Sequence, residues 1–213
     1  MARPVNADAD ATRRKLLDSA VALFAEHGLG STSVRDVAGA AGVSLAMVHH
    51  YFGSKDDLYD ACITATYDEL SAMQGELAAE LAASAPLAEL LARAVRTSYR
   101  FAREHRTAVR LLVRAAVSTG ELNPRGRKLL LGALDVVTET LGARLGRPAA
   151  ELRLPLQSVV FLVARYAAQA DSETAAVLGL PAREKRRAHD AVEAHLVDVA
   201  LSLFGLSGPR VSR

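Results

Sequence analysis

His49 and His50 stand side by side in Val43-Ser44-Leu45-Ala46-Met47-Val48-His49-His50-Tyr51-Phe52-Gly53-Ser54-Lys55, a run too rich in apolar and aromatic side chains for a solvated loop. Imidazoles can ligate a metal, carry protons or touch a phosphate. A metal site is not expected, because neighbouring positions on a helix point about 100° apart and no Cys, Glu or third His is spaced to join them. Cys62 is the only cysteine, so neither an intrachain disulfide nor a cysteine-based zinc site can form, and its expected place is in the core. The chain has no glycine-rich phosphate loop, no nucleophile elbow and no paired histidine–glutamate metal motif. No enzyme activity and no cofactor are expected. The remaining chemistry is a surface that touches a partner, and it depends on the elements that hold it.

Those elements should be helices. Half of the 213 residues are hydrophobic but only 5% are aromatic, and tryptophan is absent. Alanine and leucine fill the apolar share, with many Arg and Glu, and no stretch alternates β-branched residues as a strand does. The fold class is therefore all-α. The first ten residues are polar, without the apolar core of a signal sequence, and no run approaches bilayer-spanning length. They read as a flexible arm on a soluble cytoplasmic protein with no membrane partner. Net charge is +2 with a pI near 8.8. In the first 53 residues Arg3, Arg13, Arg14, Lys15 and Arg35 are balanced by Asp8, Asp10, Asp18, Glu26 and Asp36. Bulk charge does not announce a nucleic-acid binder, so that reading must come from geometry.

The spacing of Leu16, Leu17, Ala20, Val21 and Phe24 predicts an amphipathic helix from Thr12 to Glu26, ended by Gly28 and Gly30. Ser33 and Asp36 have capping-box form and open a short second helix to about Ala40. Ser44 caps a third, to about Tyr51, which Gly53-Ser54 breaks. Longer helices follow from Lys55, from Pro86 to His105, from Arg106 to Thr119, from Asn123-Pro124 to Gly146, from Pro155 to Ala170 with a possible extension to Leu178, and from Ala182 to Phe204. Residues 207–213 should be disordered. Ala38 is small where the second and third helices cross, Gly42 suits a positive φ in the turn, and Val37, Val43 and Val48 lock the pair. This is the pattern of a helix-turn-helix.

Thr32-Ser33-Val34-Arg35-Asp36-Val37-Ala38, Ala41-Gly42-Val43-Ser44 and Tyr51-Phe52-Gly53-Ser54-Lys55 with Leu58 resemble the N-terminal domain of TetR-family transcriptional regulators. The resemblance covers Thr12 to Tyr59. It implies a homodimer of about nine helices per subunit that binds a double-stranded DNA operator, and a pocket for a small-molecule effector in the C-terminal part. It divides the chain into a DNA-binding domain, 1–54, and a ligand-binding and dimerisation domain, 55–206. It also implies that Leu45, Ala46, Met47 and His50 face base edges while His49, Tyr51 and Lys55 hold phosphates, helped by Ser33 and Arg35. Phosphate contacts set register and base contacts set sequence. The run departs from the family's Lys-Gly-Thr-Leu-Tyr type pattern, since Leu45-Ala46-Met47-Val48-His49 stands there. Apolar readers can touch thymine methyls but cannot make bidentate bonds to guanine, so thymines, His50 and DNA shape should carry recognition.

The last two long helices carry apolar stripes, Leu156, Val159, Val160 and Val163, then Val192, Leu196, Val199 and Leu203. The resemblance implies that they pair with their mates across a two-fold axis. Tyr67, Met73, Tyr99, Phe101, Phe161, Tyr166 and Gln169 are the candidate pocket lining. Arg165, set in an apolar helix, should either pair with Asp135 or Glu139 or bind an anionic ligand, the ion pair being favoured. Arg103, Arg106, Arg110 and Arg114 read as a solvated basic face. A cavity of about 300 Å³ or more would favour an inducer, whereas solid packing would favour a DNA-binding factor that is architectural or regulated by another protein.

Overall fold

The structure is a computed structural model that describes residues 5–81 and 84–206. The expected disordered tail and the first four residues of the expected arm lie outside them. Every regular element among the described residues is a helix: α1 (Val5–Ser31), α2 (Val34–Ala41), α3 (Leu45–Phe52), α4 (Lys55–Leu81), α5 (Leu87–Glu104), α6 (Arg106–Thr119), α7 (Pro124–Leu145), α8 (Ala149–Ala168), α9 (Asp171–Val177) and α10 (Lys185–Leu203). The all-α class is as the sequence predicts, with ten helices among the described residues where about nine were expected. The additional one is α9: Gln169 and Ala170 are extended, with ψ of 146° and 141°, and end α8 close to the expected Ala170, so that the segment toward Leu178, expected at most as a kinked extension, is a helix of its own.

Two helix starts also differ. Residues from Val5 onward already belong to α1 rather than to a flexible arm. α8 starts after Pro148, so Pro155 lies inside it. The ring removes one N–H, and the carbonyl that loses its donor belongs to the exposed Glu151, where solvent can serve it.

The helices form two units. The first runs through Glu69 and also takes in Thr107–Leu122; the second comprises Leu70–Arg106 and the chain from Asn123. Contacts thus group the start of α4 and nearly all of α6 with α1, α2 and α3. In the first unit Leu16, Ala20, Phe24, Val37, Leu58, Cys62 and Leu111 are buried. Phe24 meets the Tyr59 ring edge-on at 5.1 Å. Cys62 Sγ lies 4.0 Å from the Leu17 carbonyl, and burial pushes its thiol up to about 12. The backbone breaks helical geometry at Gly28 (φ 80°, ψ 169°), opening carbonyls at the end of α1. Arg114 on α6 closes them, donating to Glu26 O at 3.1 Å and His27 O at 3.2 Å. The expected solvated basic face is thereby corrected, since Arg114 caps a helix and Arg103 is also committed.

In the second unit α5 packs on α8 and α10, and α7 on α8. Tyr99, Leu90, Leu141, Leu152 and Leu196 are fully buried. Asp171, at the first position of α9, is the polar centre. Arg103 donates to it at 2.7 Å, Arg106 lies at 3.5 Å and Lys185 at 3.6 Å. Arg103 also donates to the Ala167 carbonyl at 3.1 Å, covering the end of α8. Its Nη2 lies 3.1 Å from His189 Nε2. A guanidinium only donates, so Nε2 accepts and Nδ1 carries the proton that it donates to Tyr99 Oη at 2.9 Å. Partial burial works to raise the Asp171 carboxyl, but the Arg103 hydrogen bond and the charges of Arg103 and Arg106 outweigh it and hold it below the ordinary range. Burial and the Arg103 charge push His189 below its usual value of 6.5, against the pull of Asp171. Burial pushes the Tyr99 phenol up to about 12.

Below 6.5 the unfolded chain binds the His189 proton more readily than the folded one. The stability that neutral His189 supplies is therefore present above that value and lost as pH falls. Thermal unfolding should show a midpoint that drops between about pH 7 and pH 5, and His189→Gln, which keeps an acceptor and a donor but does not titrate, should drop less.

Candidate nucleic-acid interface

α2 and α3 are eight residues each, too short to persist alone, and their ends are fastened by side chains. Ser33 Oγ accepts from Asp36 N at 3.1 Å while Ser33 N donates to Asp36 Oδ2 at 3.0 Å. Hydrogen bonds from the Ser33 side chain and backbone hold the Asp36 carboxyl below the ordinary range. The turn passes through Gly42 at φ 64°, ψ 38°, with Val43 N donating to Ala38 O at 3.0 Å. Ser44 Oγ then accepts from Met47 N at 3.3 Å to cap α3. Beyond α3 the same device recurs: Ser54 N donates to Asp57 Oδ2 and Asp57 N to Ser54 Oγ, each at 3.1 Å.

Val48 and Phe52 point inward from α3 and are buried, and Val43 is half-buried. The Arg13 guanidinium lies 5.3 Å above the Phe52 ring, a packing use of a cation. Leu45 and Met47, each 36% exposed, share the outward face with Ala46, His49 and His50. Tyr51 is half-buried, its ring 5.4 Å from that of His50 and 6.3 Å from that of Phe52. His49 Nδ1 lies 2.6 Å from Gly53 O. Arg35 is exposed on α2, whereas the Ser33 hydroxyl donates to Asp36 at 2.7 Å. Lys55 Nζ donates to Leu29 O at 2.9 Å, so this lysine fastens the end of α1. Nothing in the local sequence signalled that bond. The outward face of α3 is thus apolar and imidazole-bearing, with no lysine or arginine of its own.

The other predicted residues fare differently. Tyr67 is buried in the first unit, and burial raises its phenol. In the second unit Met73 is half-buried, Tyr99 is spent on His189, Phe101 stacks on His105 at 4.2 Å and Phe161 is 57% exposed. Tyr166 and Gln169 do meet, lining a depression of about 70 Å³ with Thr174, Val177, Leu178 and His195. Arg165 is exposed, and Asp135 pairs instead with Arg153. The expected ion pair is corrected because Arg165 points to solvent and has no burial to offset. Of the expected dimer stripe, Val159, Val163, Val192 and Leu196 are buried within the protomer and offer no surface to a partner. Val160 and Leu203 are exposed, and Leu156 and Val199 are half-buried.

Two capped helices crossing at a glycine turn, the second with a bare outward face, define a helix-turn-helix protein of the nucleic-acid-binding class. Residues 16–62 match the family described as bacterial regulatory proteins, tetR family. The transcriptional repressor KstR2 of Rhodococcus jostii RHA1 is 35% identical over 132 residues, which is 58% of this chain and 63% of that protein. The chain thus spans less than two thirds of the length of that curated relative. The structure of the ketosteroid transcriptional regulator KstR2 of Mycobacterium tuberculosis superposes with a TM-score of 0.66 at 21% identity, over 89% of this chain and 93% of that one. A TetR-like transcriptional regulator from Rhodococcus sp. RHA1 gives 0.62 at 23% identity, over 95% and 98%. At such identities the structures show a shared fold. By the family match, residues 16–62 carry a domain of the TetR family.

The turn makes a stability prediction. An alanine at Gly42 must adopt a left-handed backbone, which costs about 1–2 kcal/mol. At Gly39, helical and with open space around its Cα, alanine should stabilise by up to about 1 kcal/mol. Denaturant unfolding of Gly42→Ala and Gly39→Ala should move in opposite directions.

Proposed function

We propose that this protein is a DNA-binding transcriptional repressor that binds a pseudo-palindromic operator as a homodimer. The observation that carries the reading is the outward face of α3, where Leu45, Ala46, Met47 and His50 stand exposed on a helix capped at both ends. Apolar side chains on an exposed recognition helix cost solubility and suit thymine methyls in a major groove. Arg35 and Ser33 of α2, with His49, Tyr51 and Lys55, are the proposed phosphate contacts. One short helix makes too few contacts for specificity, and two heads related by a two-fold axis read two half-sites. The proposed dimer face is the exposed side of α8, with Leu154, Val160 and Phe161, beside Leu203 of α10.

Release by a small molecule is the proposed control. The effector binds better to a state in which α4 has swung and the recognition helices no longer match successive grooves. Ketosteroids, named for the mycobacterial neighbour, are the first class to try. The depression beside Tyr166 and Gln169, about 70 Å³, is by itself too small for such an effector. A second reading is a factor governed by a protein partner. Thermal-shift titration with ketosteroids separates the two, since a ligand that binds the folded state raises the unfolding midpoint.

Selection of sheared genomic DNA on the purified protein at moderately high salt should recover a few fragments sharing one pseudo-palindrome. Recovery that only fades with salt would leave just the phosphate term and sink the operator. With such a fragment, Arg35→Ala should weaken binding to every duplex alike and lower the salt slope by about one, whereas Met47→Ala should keep the slope and change the preferred sequence. Light scattering should report a dimer, and Phe161→Glu with Val160→Glu should give a folded monomer.

A further inference from the structure

Resting on the DNA-binding reading above, we infer that DNA binding takes up a proton at His49, whose ring holds a phosphate only as imidazolium. His49 Nδ1 is 2.6 Å from the Gly53 carbonyl. A carbonyl oxygen only accepts, so Nδ1 carries a hydrogen in every form of the ring that keeps this contact. The contact is braced from the other side, because Gly53 N donates to His49 O at 2.9 Å. Side chain and backbone close a loop at the end of α3, through a glycine whose φ of 75° and ψ of −95° other residues rarely adopt. The tautomer is therefore set before DNA arrives. In the neutral ring Nε2 is left with a lone pair, on a side chain that is exposed.

A phosphate presents only acceptor oxygens. A lone pair facing them repels, and the neutral ring can donate through Nε2 only by giving up the Gly53 bond. A proton on Nε2 turns repulsion into a charge-assisted hydrogen bond while the bond to Gly53 stays in place. Proton uptake and DNA binding then favour one another, so affinity is fully present at low pH and lost as pH rises.

The charged neighbours do not supply this dependence. Those neighbours are Arg13, Arg14 and Lys15 of α1, Arg35 of α2, and Lys55 and Asp56 of α4; among side-chain types it is imidazole that changes charge in the neutral range. Asp36 and Asp57 are held ionised by hydrogen bonds from Ser33 and Ser54. That leaves imidazoles, His27 at the end of α1 and His50 on α3 being the other two in this part of the chain.

The test is fluorescence-anisotropy titration of the full chain with a mixed-sequence DNA duplex at fixed ionic strength, across the range in which imidazoles titrate. Wild-type affinity should fall by up to about tenfold per pH unit on the alkaline side. His49→Tyr and His49→Gln, which carry a donor hydrogen at every pH used, should bind with most of that slope gone, while His27→Gln retains it. Nitrogen-15 spectra of the free protein at alkaline pH should show His49 protonated at Nδ1. Equal slopes in wild type and both His49 variants would overturn the inference, as would a proton on Nε2 in those spectra. Absence of saturable binding at any pH would overturn the DNA-binding reading and this inference with it.

Discussion

An isolated helix of eight residues in water is mostly unfolded, because a handful of hydrogen bonds does not offset the cost of nucleation. α2 and α3 are both of that length, so their shape is imposed by what they bury. Val37, Val48 and Phe52 are buried, as are Leu16, Ala20 and Phe24 of α1, and α2 packs on both α1 and α3. Each such side chain contributes about 1.5–3 kcal/mol on burial. The outward residues of α3 contribute little to that sum. Their positions follow from the inward ones by the 3.6-residue period, so the outward surface of α3 is held by side chains that point the other way.

The second unit solves a different problem. Its long helices have apolar area enough, and polar groups fix how their ends meet. One carboxylate, Asp171, gathers Arg103, Arg106 and Lys185 from α5, α6 and α10. Through Arg103 it also ties down the last carbonyls of α8. Removing such a carboxylate would leave several partly buried cations facing one another, the costly kind of loss in an ionic network. Side chains that could have greeted a ligand are committed to holding helices.

The helix-turn-helix was legible in the sequence because its signals are local. A serine three residues before an aspartate, a glycine where φ turns positive and valines at helical spacing each act within a few positions. The outward face of α3 followed from the same period. The apolar stripes of α8 and α10 were also legible as stripes, but periodicity says that a face is buried and not against what. Half of the predicted dimer residues turned out to be the protomer's own core. Arg165 misled for the same reason: whether an arginine in an apolar run is buried depends on helix rotation, which long-range packing sets. The break at Gln169 and Ala170 carries no Gly or Pro, so α9 had no punctuation to announce it. Lys55 gripping Leu29 O joins residues 26 apart, a distance over which no sequence pattern acts.

Cys62 lies on α4 with no exposed surface, its thiol pushed up to about 12. Thiolate, not thiol, is what attacks alkylating reagents and peroxide. The folded chain is therefore chemically silent at its one sulfhydryl, and a maleimide added to it reacts only as fast as α1 and α4 part. Labelling rate becomes a clock for local opening of the unit that carries α3. A cysteine introduced on the surface would likewise take a fluorophore at one site, with no need to remove the native thiol first.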